Sequence, residues 1–447
     1  MSSTALANLP QVDKLLKSPS LTSWSDRLIP RVQTYVVRKT VEEARQEILS
    51  GQRAPTEEEI TQRILERFSK LVCPNLKRTI NATGIILHTN LGRAPIGKET
   101  LLQMAEELSG YCNLEVDTET TQRGDRTQQI EEMLCALTGA EAALVVNNGA
   151  AAVFLILNAL SLGKETLISR GELIQIGGGF RMPDILLQSG ACIKEVGTTN
   201  ITELRDYESA LNEKTALILK VHPSCFHISG HTHAPSLSSL SSLSKARGLP
   251  LAVDWGSGSL ESRESGEVAI SEILESGCDV LSFSGDKLFG ASQAGILVGN
   301  QSVLGKLKKS PLYRALRLGK LDLFVLEETL RNHLSGKPSL VDQLLRLSLK
   351  ELEERAERFV SQLVPRGIQA KKSAGKTPIG GGSTPSEELD SVCLEIAVGD
   401  SERAARKLAG LSPPILVRKE KGKITLDLRT LFPADEALLL EGLSCLS

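Results

Sequence analysis

Aromatic residues are scarce. Phe, Trp and Tyr make up 3% of the 447 residues, which excludes a binding surface dominated by stacking on nucleobases. Long apolar runs are absent as well. A stretch such as 150–157 falls far short of the roughly 20 residues of a membrane-spanning helix, so no membrane role is expected. The first residues show no basic-then-apolar leader, and a cytoplasmic protein is expected. The 8 cysteines sit at no disulfide or metal spacing, which reads as reduced thiols. Charge of either sign is not in excess: 52 Lys and Arg stand against 54 Asp and Glu, a net charge of −2. The distribution is uneven, because residues 1–80 hold 13 basic and 9 acidic side chains. A mildly basic module suits phosphate contact, although solvated helix faces give the same count.

What is present is a balanced globular composition, 41% hydrophobic and 24% charged, over a length that suggests two or three domains at about 150 residues each. Residues 1–75 read as a helical module. A short element spans 9–16 and Pro19 breaks it; a longer helix covers 31–49, with Gly51 as its stop. Thr56 followed by Glu57, Glu58 and Glu59 starts a helix reaching about residue 71. From 76 to 325 short apolar strands alternate with helices. Strands are expected at 142–146, 166–169, 216–221, 251–254, 280–283 and 295–298, with helices at 149–160, 236–247 and 268–276. The class is therefore α/β, a mainly parallel sheet covered on both faces, whose ligands gather at the carboxyl ends of the strands. Residues 326–447 read as a small α+β domain: a long amphipathic helix over 340–363, a Ser/Gly/Pro loop over 373–386, and two strands, 415–419 and 423–428, about a Lys421-Gly422 turn.

Several chemical signals fall at the expected strand ends. Lys287 lies in Ser282-Phe283-Ser284-Gly285-Asp286-Lys287-Leu288-Phe289-Gly290. An amine at a strand end, among glycines, suits a Schiff base with an aldehyde cofactor; it equally suits a surface lysine in a turn. Asp254 ends the strand before Trp255-Gly256-Ser257-Gly258 and is placed either to ion-pair with a pyridinium nitrogen or to cap a turn. Asn148, Gly149 and Ala150 open a helix directly after a strand, which makes either a phosphate cup or a tight turn, and Ser284 could add a hydroxyl to that cup. Arg314 and Arg317, spaced to share a helix face, suit an oxyanion or a solvated surface, and Arg93 in Asn90-Leu91-Gly92-Arg93 is a third such candidate. His222, Cys225, His227, His231 and His233 match no closed zinc pattern, so no metal is expected; His222 follows a strand and is expected near the cofactor. Arg123-Gly124-Asp125 reads as a turn beside Arg126.

Together these stretches resemble the bacterial L-seryl-tRNA(Sec) selenium transferase family, also called selenocysteine synthases. The match runs through Leu9-Pro10-Gln11-Val12-Asp13-Lys14-Leu15-Leu16, Asn81-Ala82-Thr83-Gly84, and His88-Thr89-Asn90-Leu91-Gly92-Arg93-Ala94. It continues through Ser169-Arg170-Gly171-Glu172-Leu173, Glu195-Val196-Gly197-Thr198-Thr199-Asn200, and the Lys287 segment to Gln293-Ala294-Gly295. The resemblance implies a fold type I pyridoxal 5'-phosphate (PLP) transferase that converts seryl-tRNA(Sec) to selenocysteinyl-tRNA(Sec) with selenophosphate, through a dehydroalanyl intermediate. It implies Lys287 as the Schiff-base lysine, Asp254 as the pyridine partner, and Arg93, Arg314 and Arg317 as the selenophosphate set. Thr198 and Thr199 would lie near the active site or a subunit contact. It further implies a tRNA-binding N-terminal module and a homodecamer built from dimers. The chain departs from the family pattern at Gly149, Cys225, His231 and Trp255. Two other readings stay open: a related PLP-dependent β-eliminating lyase acting on small molecules, and a non-catalytic tRNA-binding homologue.

Overall fold

The computed structural model describes residues 6–7, 9–176, 180–224, 226–263, 266–381 and 387–446. By its internal contacts the chain divides into two compact units, Met1–Arg78 and Thr79–Ser447.

The first unit is helical, with helices Val12–Leu16, Pro19–Thr22, Pro30–Leu49 and Glu57–Val72. Pro19 and Pro30 stand in the first helical turn, where a missing N–H costs nothing. Pro19 therefore begins a short helix as well as ending the preceding one. Thr56 and Glu59 form a reciprocal capping box, with N–H bonds of 2.8 and 3.2 Å. Leu15, Leu21, Val37, Ile60, Ile64 and Phe68 are fully enclosed between the helices.

The second unit is built on a seven-stranded sheet. Its spatial order is Ala142–Val146, Gly295–Gly299, Val280–Ser284, Leu251–Asp254, Thr215–Val221, Glu165–Ser169, Cys192–Val196. Every strand is parallel except Gly295–Gly299, which runs antiparallel to both neighbours. Alternate residues feed two cores. Val145, Ile218, Val253, Leu281 and Ile296 face one, while Leu144, Leu219, Ala252, Val280 and Leu297 face the other. Burial on both faces explains why these strands read as unbroken apolar runs. Helices Gln128–Thr138 and Lys320–Leu334 cover the first face, and Gly149–Ser161 with Gln301–Lys309 covers the second. The parallel strands all end at one edge of the sheet, which carries Asn147, Ser169, His222, Asp254 and Ser284.

A five-stranded sheet follows in the order Ile80–Ala82, Ile415–Glu420, Lys423–Asp427, Glu388–Ala397, Ala370–Pro378. Its first strand, three residues long, is parallel to Ile415–Glu420 and comes from the opposite end of the unit. Two expectations change here. The helix over 340–363 is two helices, Leu340–Arg346 and Leu349–Leu363, because Ser348 caps the second through a reciprocal box with Glu351. The loop expected from 373 is largely strand: Ala370–Pro378 pairs along its length with Glu388–Ala397, and residues 382–386 lie outside the described residues. Its Lys, Ser and Gly content suits an exposed edge strand rather than a loop.

Candidate active site

The strand Leu251–Asp254 delivers Asp254 to the sheet edge, and its parallel neighbour Val280–Ser284 delivers Ser284 and then Lys287. The Ser282 hydroxyl, opposite Asp254 in register, donates to Asp254 Oδ1 at 2.9 Å and fixes that carboxylate. Withdrawal from water pushes the Asp254 carboxyl above the usual range; the Ser282 bond and the Lys287 charge oppose this less strongly. Lys287 is 6% exposed, so the surface-lysine reading falls away. Its charge is felt at Asp254, His222 and Glu267, in each case as a smaller influence than burial. A Cβ on Gly256 would stand 3.1 Å from Lys287 Nζ, so backbone lies directly beside the amine.

The phosphate cup of the sequence reading is present as a shape. Asn148 caps helix Gly149–Ser161 by accepting the Ala151 N–H at 2.8 Å. The first N–H groups of that helix, on Gly149 and Ala150, have no intrahelical acceptor. Ser284 closes against them: a Cβ on Gly149 would meet Ser284 Oγ at 2.8 Å. A side chain at Gly295 would strike Asn148 O at 2.1 Å, so this strand must carry glycine where it passes the cup.

His222 follows strand Thr215–Val221, and its N–H donates to Asp254 O at 2.9 Å. Its ring stacks on Trp255 with centroids 3.8 Å apart and planes 20° from parallel. The Nδ1 atom is buried and has no hydrogen-bond partner. Burial, followed by the charges of Lys220 and Lys287, lowers its pKa to about 4, so the imidazole is neutral. The rest of the histidine segment goes elsewhere. The His231 carbonyl accepts from Asn200 Nδ2 at 2.7 Å, and the His233 N–H donates to Asn200 O at 3.0 Å. Cys225 lies outside the described residues, and among those described no cluster of three or more His, Cys, Asp or Glu is placed to hold a metal.

The arginines fall in two places. Arg93, in the left-handed backbone region with φ 61°, pairs with Asp286 at 3.0 Å, next to Lys287. Arg314 and Arg317 do not share a helix face, because helix Pro311–Ala315 ends before Arg317. They still line one cavity of about 440 Å3 with Glu115, Arg123 and Arg126. Glu115 accepts from Arg126, Arg123 and Arg317, and Arg126 followed by Arg123 holds its carboxyl below the usual range. Arg317 Nε is buried without a partner. The Asn147 N–H donates to Leu316 O at 3.0 Å and ties the arginine segment to the mouth of the cup. Thr198 spends its hydroxyl on Ile201 O at 2.9 Å, while Thr199 presses its carbonyl toward Gly171.

Sequence reasoning missed Ser282, Asp286, Glu115 and Glu267. Only strand register exposes the first, and only the folded proximity of distant loops exposes the others. Glu267 is 1% exposed and accepts from both the Trp255 indole and the Ser257 hydroxyl.

A parallel-sheet unit with a buried lysine beside an aspartate at adjacent strand ends is the architecture of the fold type I PLP-dependent enzymes. The solved structure of D-glucosaminate-6-phosphate ammonia-lyase shares this fold, with a TM-score of 0.60 at 21% identity over 85% of this chain and 97% of that one. The particular family follows from sequence. Residues 79–432 match the family model of L-seryl-tRNA selenium transferase (SelA). The L-seryl-tRNA(Sec) selenium transferase of Carboxydothermus hydrogenoformans is 40% identical over 440 residues, 95% of this chain and 94% of that protein. That of Aquifex aeolicus is 40% identical over 444 residues, 96% of each. The chain belongs to the L-seryl-tRNA selenium transferase family.

Proposed function

We propose that the protein converts seryl-tRNA(Sec) to selenocysteinyl-tRNA(Sec), replacing the serine hydroxyl oxygen with selenium from selenophosphate and releasing phosphate. The observation that carries this reading, within the family match, is the buried Lys287 beside Asp254. PLP fits the donor set: an amine, a carboxylate fixed by Ser282, helix N–H groups at Gly149 and Ala150, and the Ser284 hydroxyl. Bound there, PLP supplies an electron sink for the carbanion formed at the serine Cα.

The chain's own groups divide the remaining work. Lys287 Nζ would hold the cofactor aldehyde and, when free, would serve as the base for the serine Cα proton. Asp254, its carboxylate fixed by the Ser282 hydroxyl, would serve as the partner of the ring nitrogen. The Gly149 and Ala150 N–H groups and Ser284 Oγ receive the cofactor phosphate. His222 presents a neutral ring beside the same site. Arg93, Arg314 and Arg317 receive the selenophosphate anion, each guanidinium now balanced by Asp286 or lying in the Glu115 cavity. Because the seryl group is an ester, no arginine is needed for a free carboxylate. The helical unit Met1–Arg78 would receive the tRNA, and assembly would be a homodecamer built from dimers, in the cytoplasm. No helix among the described residues is long and apolar enough to cross a membrane.

The deciding experiment incubates the protein with PLP, seryl-tRNA(Sec) and selenophosphate, then identifies the aminoacyl group by mass spectrometry. Selenocysteine on the tRNA is expected. Unchanged serine would refute the reading, and pyruvate release would redirect it to a β-eliminating lyase.

A further inference from the structure

Trp255 is held at two points. Its indole Nε1 donates to Glu267 Oε1 at 2.8 Å, and its ring face lies on His222 at 3.8 Å between centroids. Its backbone N–H is fixed as well, donating to Ser282 O at 2.9 Å. Glu267 is a committed anchor: it is 1% exposed, takes the Ser257 hydroxyl on the same oxygen, and keeps its other oxygen buried without a partner. A buried carboxylate with an unmet acceptor is costly, so the indole N–H bond is not readily given up. His222 is the opposite case. Its Nδ1 is buried and unpartnered, so no hydrogen bond at that atom orients the ring. What orients it is the stacked indole.

We infer that Trp255 is a positioning residue, clamped by Glu267, which fixes the plane of the His222 imidazole beside the strand end that carries Asp254. The series Glu267–Trp255–His222 reaches the site beside Lys287 without any of the arginines. Glu267 and Trp255 act only through His222, and so neither is a catalytic residue. The inference rests on the reading that the site takes PLP, and its test separates the two.

The experiment is a double-mutant cycle on PLP affinity, followed by the visible absorbance of the PLP-bound protein, with His222 ring signals read by NMR in the cofactor-free protein. Trp255→Leu is expected to raise the PLP dissociation constant about three- to tenfold, the equivalent of one stacked aromatic contact. It should also abolish the ring-current displacement of the His222 signals. In a His222→Ala background the same substitution should change PLP affinity by less than about twofold, because coupled residues are not additive. Trp255→Phe, which keeps a stacking face but lacks the N–H that Glu267 accepts, should recover only part of the wild-type affinity and NMR displacement; it also serves if the leucine variant fails to fold. Equal losses from Trp255→Leu with and without His222 would overturn the inference, as would His222 signals indifferent to residue 255. If wild-type protein binds no PLP, the cofactor reading fails, and the NMR arm still decides whether the indole orients the imidazole.

Discussion

Asp254→Asn should pull stability and function in opposite directions. Asp254 is drawn out of water, and burial is the largest influence on its carboxyl, raising its pKa above the unfolded value. Without cofactor, the folded chain therefore holds the Asp254 proton more tightly than the unfolded chain. This carboxyl's contribution to stability is full below its unfolded pKa and is lost as pH rises through the folded pKa. Once ionised, the carboxylate thus opposes folding. Asparagine keeps an oxygen for the Ser282 hydroxyl, now 2.9 Å away, and removes the charge. The cofactor-free variant should gain about 1 kcal/mol, the usual scale of such a relief. With PLP bound the balance inverts, because a pyridinium nitrogen loses its only carboxylate from this strand. Breaking a withdrawn ion pair costs about 3 kcal/mol, or roughly 100-fold in affinity or turnover. Urea midpoints of the cofactor-free proteins, PLP titrations and single-turnover conversion of seryl-tRNA measure each arm. A variant with wild-type PLP affinity and turnover, or one less stable without cofactor, would refute the assignment of Asp254.

Three further outcomes follow from the same geometry. Lys287→Ala should remove the visible absorbance band and lower turnover by about 1,000-fold, the scale of a lost general base; persistence of both would move the cofactor to another amine. Arg317→Ala should raise the KM for selenophosphate about thirtyfold, near 2 kcal/mol for a charge-assisted hydrogen bond, and leave the KM for seryl-tRNA unchanged. Equal effects on both substrates would instead assign Arg317 to the general architecture of the Glu115 cavity. His222, with its pKa depressed from 6.5 to about 4, makes the folded state reluctant to take a proton. Its stability contribution is present above pH 6.5 and is lost as pH falls toward 4, about 3 kcal/mol in full. His222→Gln should flatten that part of the stability profile, and an unchanged slope between pH 6.5 and 4 in urea titrations would contradict it.

Six of the seven strands of the large sheet were legible because they are buried on both faces and announce themselves as short apolar runs; the edge strand Cys192–Val196, mostly accessible, was not. Lys287 and Asp254 were legible for a related reason: a polar residue that interrupts such a run marks a strand end. The antiparallel sense of Gly295–Gly299 was not, since period and composition carry no direction. Ile80–Ala82 is too short to signal itself, and its partner lies more than 300 residues away. Ala370–Pro378 disguised itself with the lysines and glycine of an exposed edge. Helix Leu340–Arg346 merged with its successor because amphipathic spacing survives across Leu347, and only the Ser348–Glu351 box marks the break. At the site, Asp286 and Glu267 looked like ordinary loop acids, and their roles exist only once Arg93 and Trp255 arrive from elsewhere.

Arg93 shows how the small sheet can bear on chemistry it never touches. The segment that carries it begins as strand Ile80–Ala82, hydrogen-bonded into the five-stranded sheet. It then passes Gly84, whose φ of 80° and close approach to Asp427 admit no side chain; a Cβ there would stand 2.3 Å from Asp427 Oδ2. Asp427 is itself immobilised, accepting from Thr377, Ser391 and Arg418 within the sheet. Further on, Leu87 donates its N–H to Ile379 O at 2.7 Å. The segment then leaves for the large sheet, where the Ala94 N–H donates to Asp286 O at 3.0 Å and the Arg93 side chain pairs with the Asp286 carboxylate. Fourteen residues thus span from a sheet built mostly of C-terminal strands to the turn that presents Lys287. The position of Arg93 is determined at both ends, by Asp427 on one side and Asp286 on the other. A disturbance confined to the Asp427 cluster would therefore reach the lysine turn through a stretch of chain anchored at both of its termini.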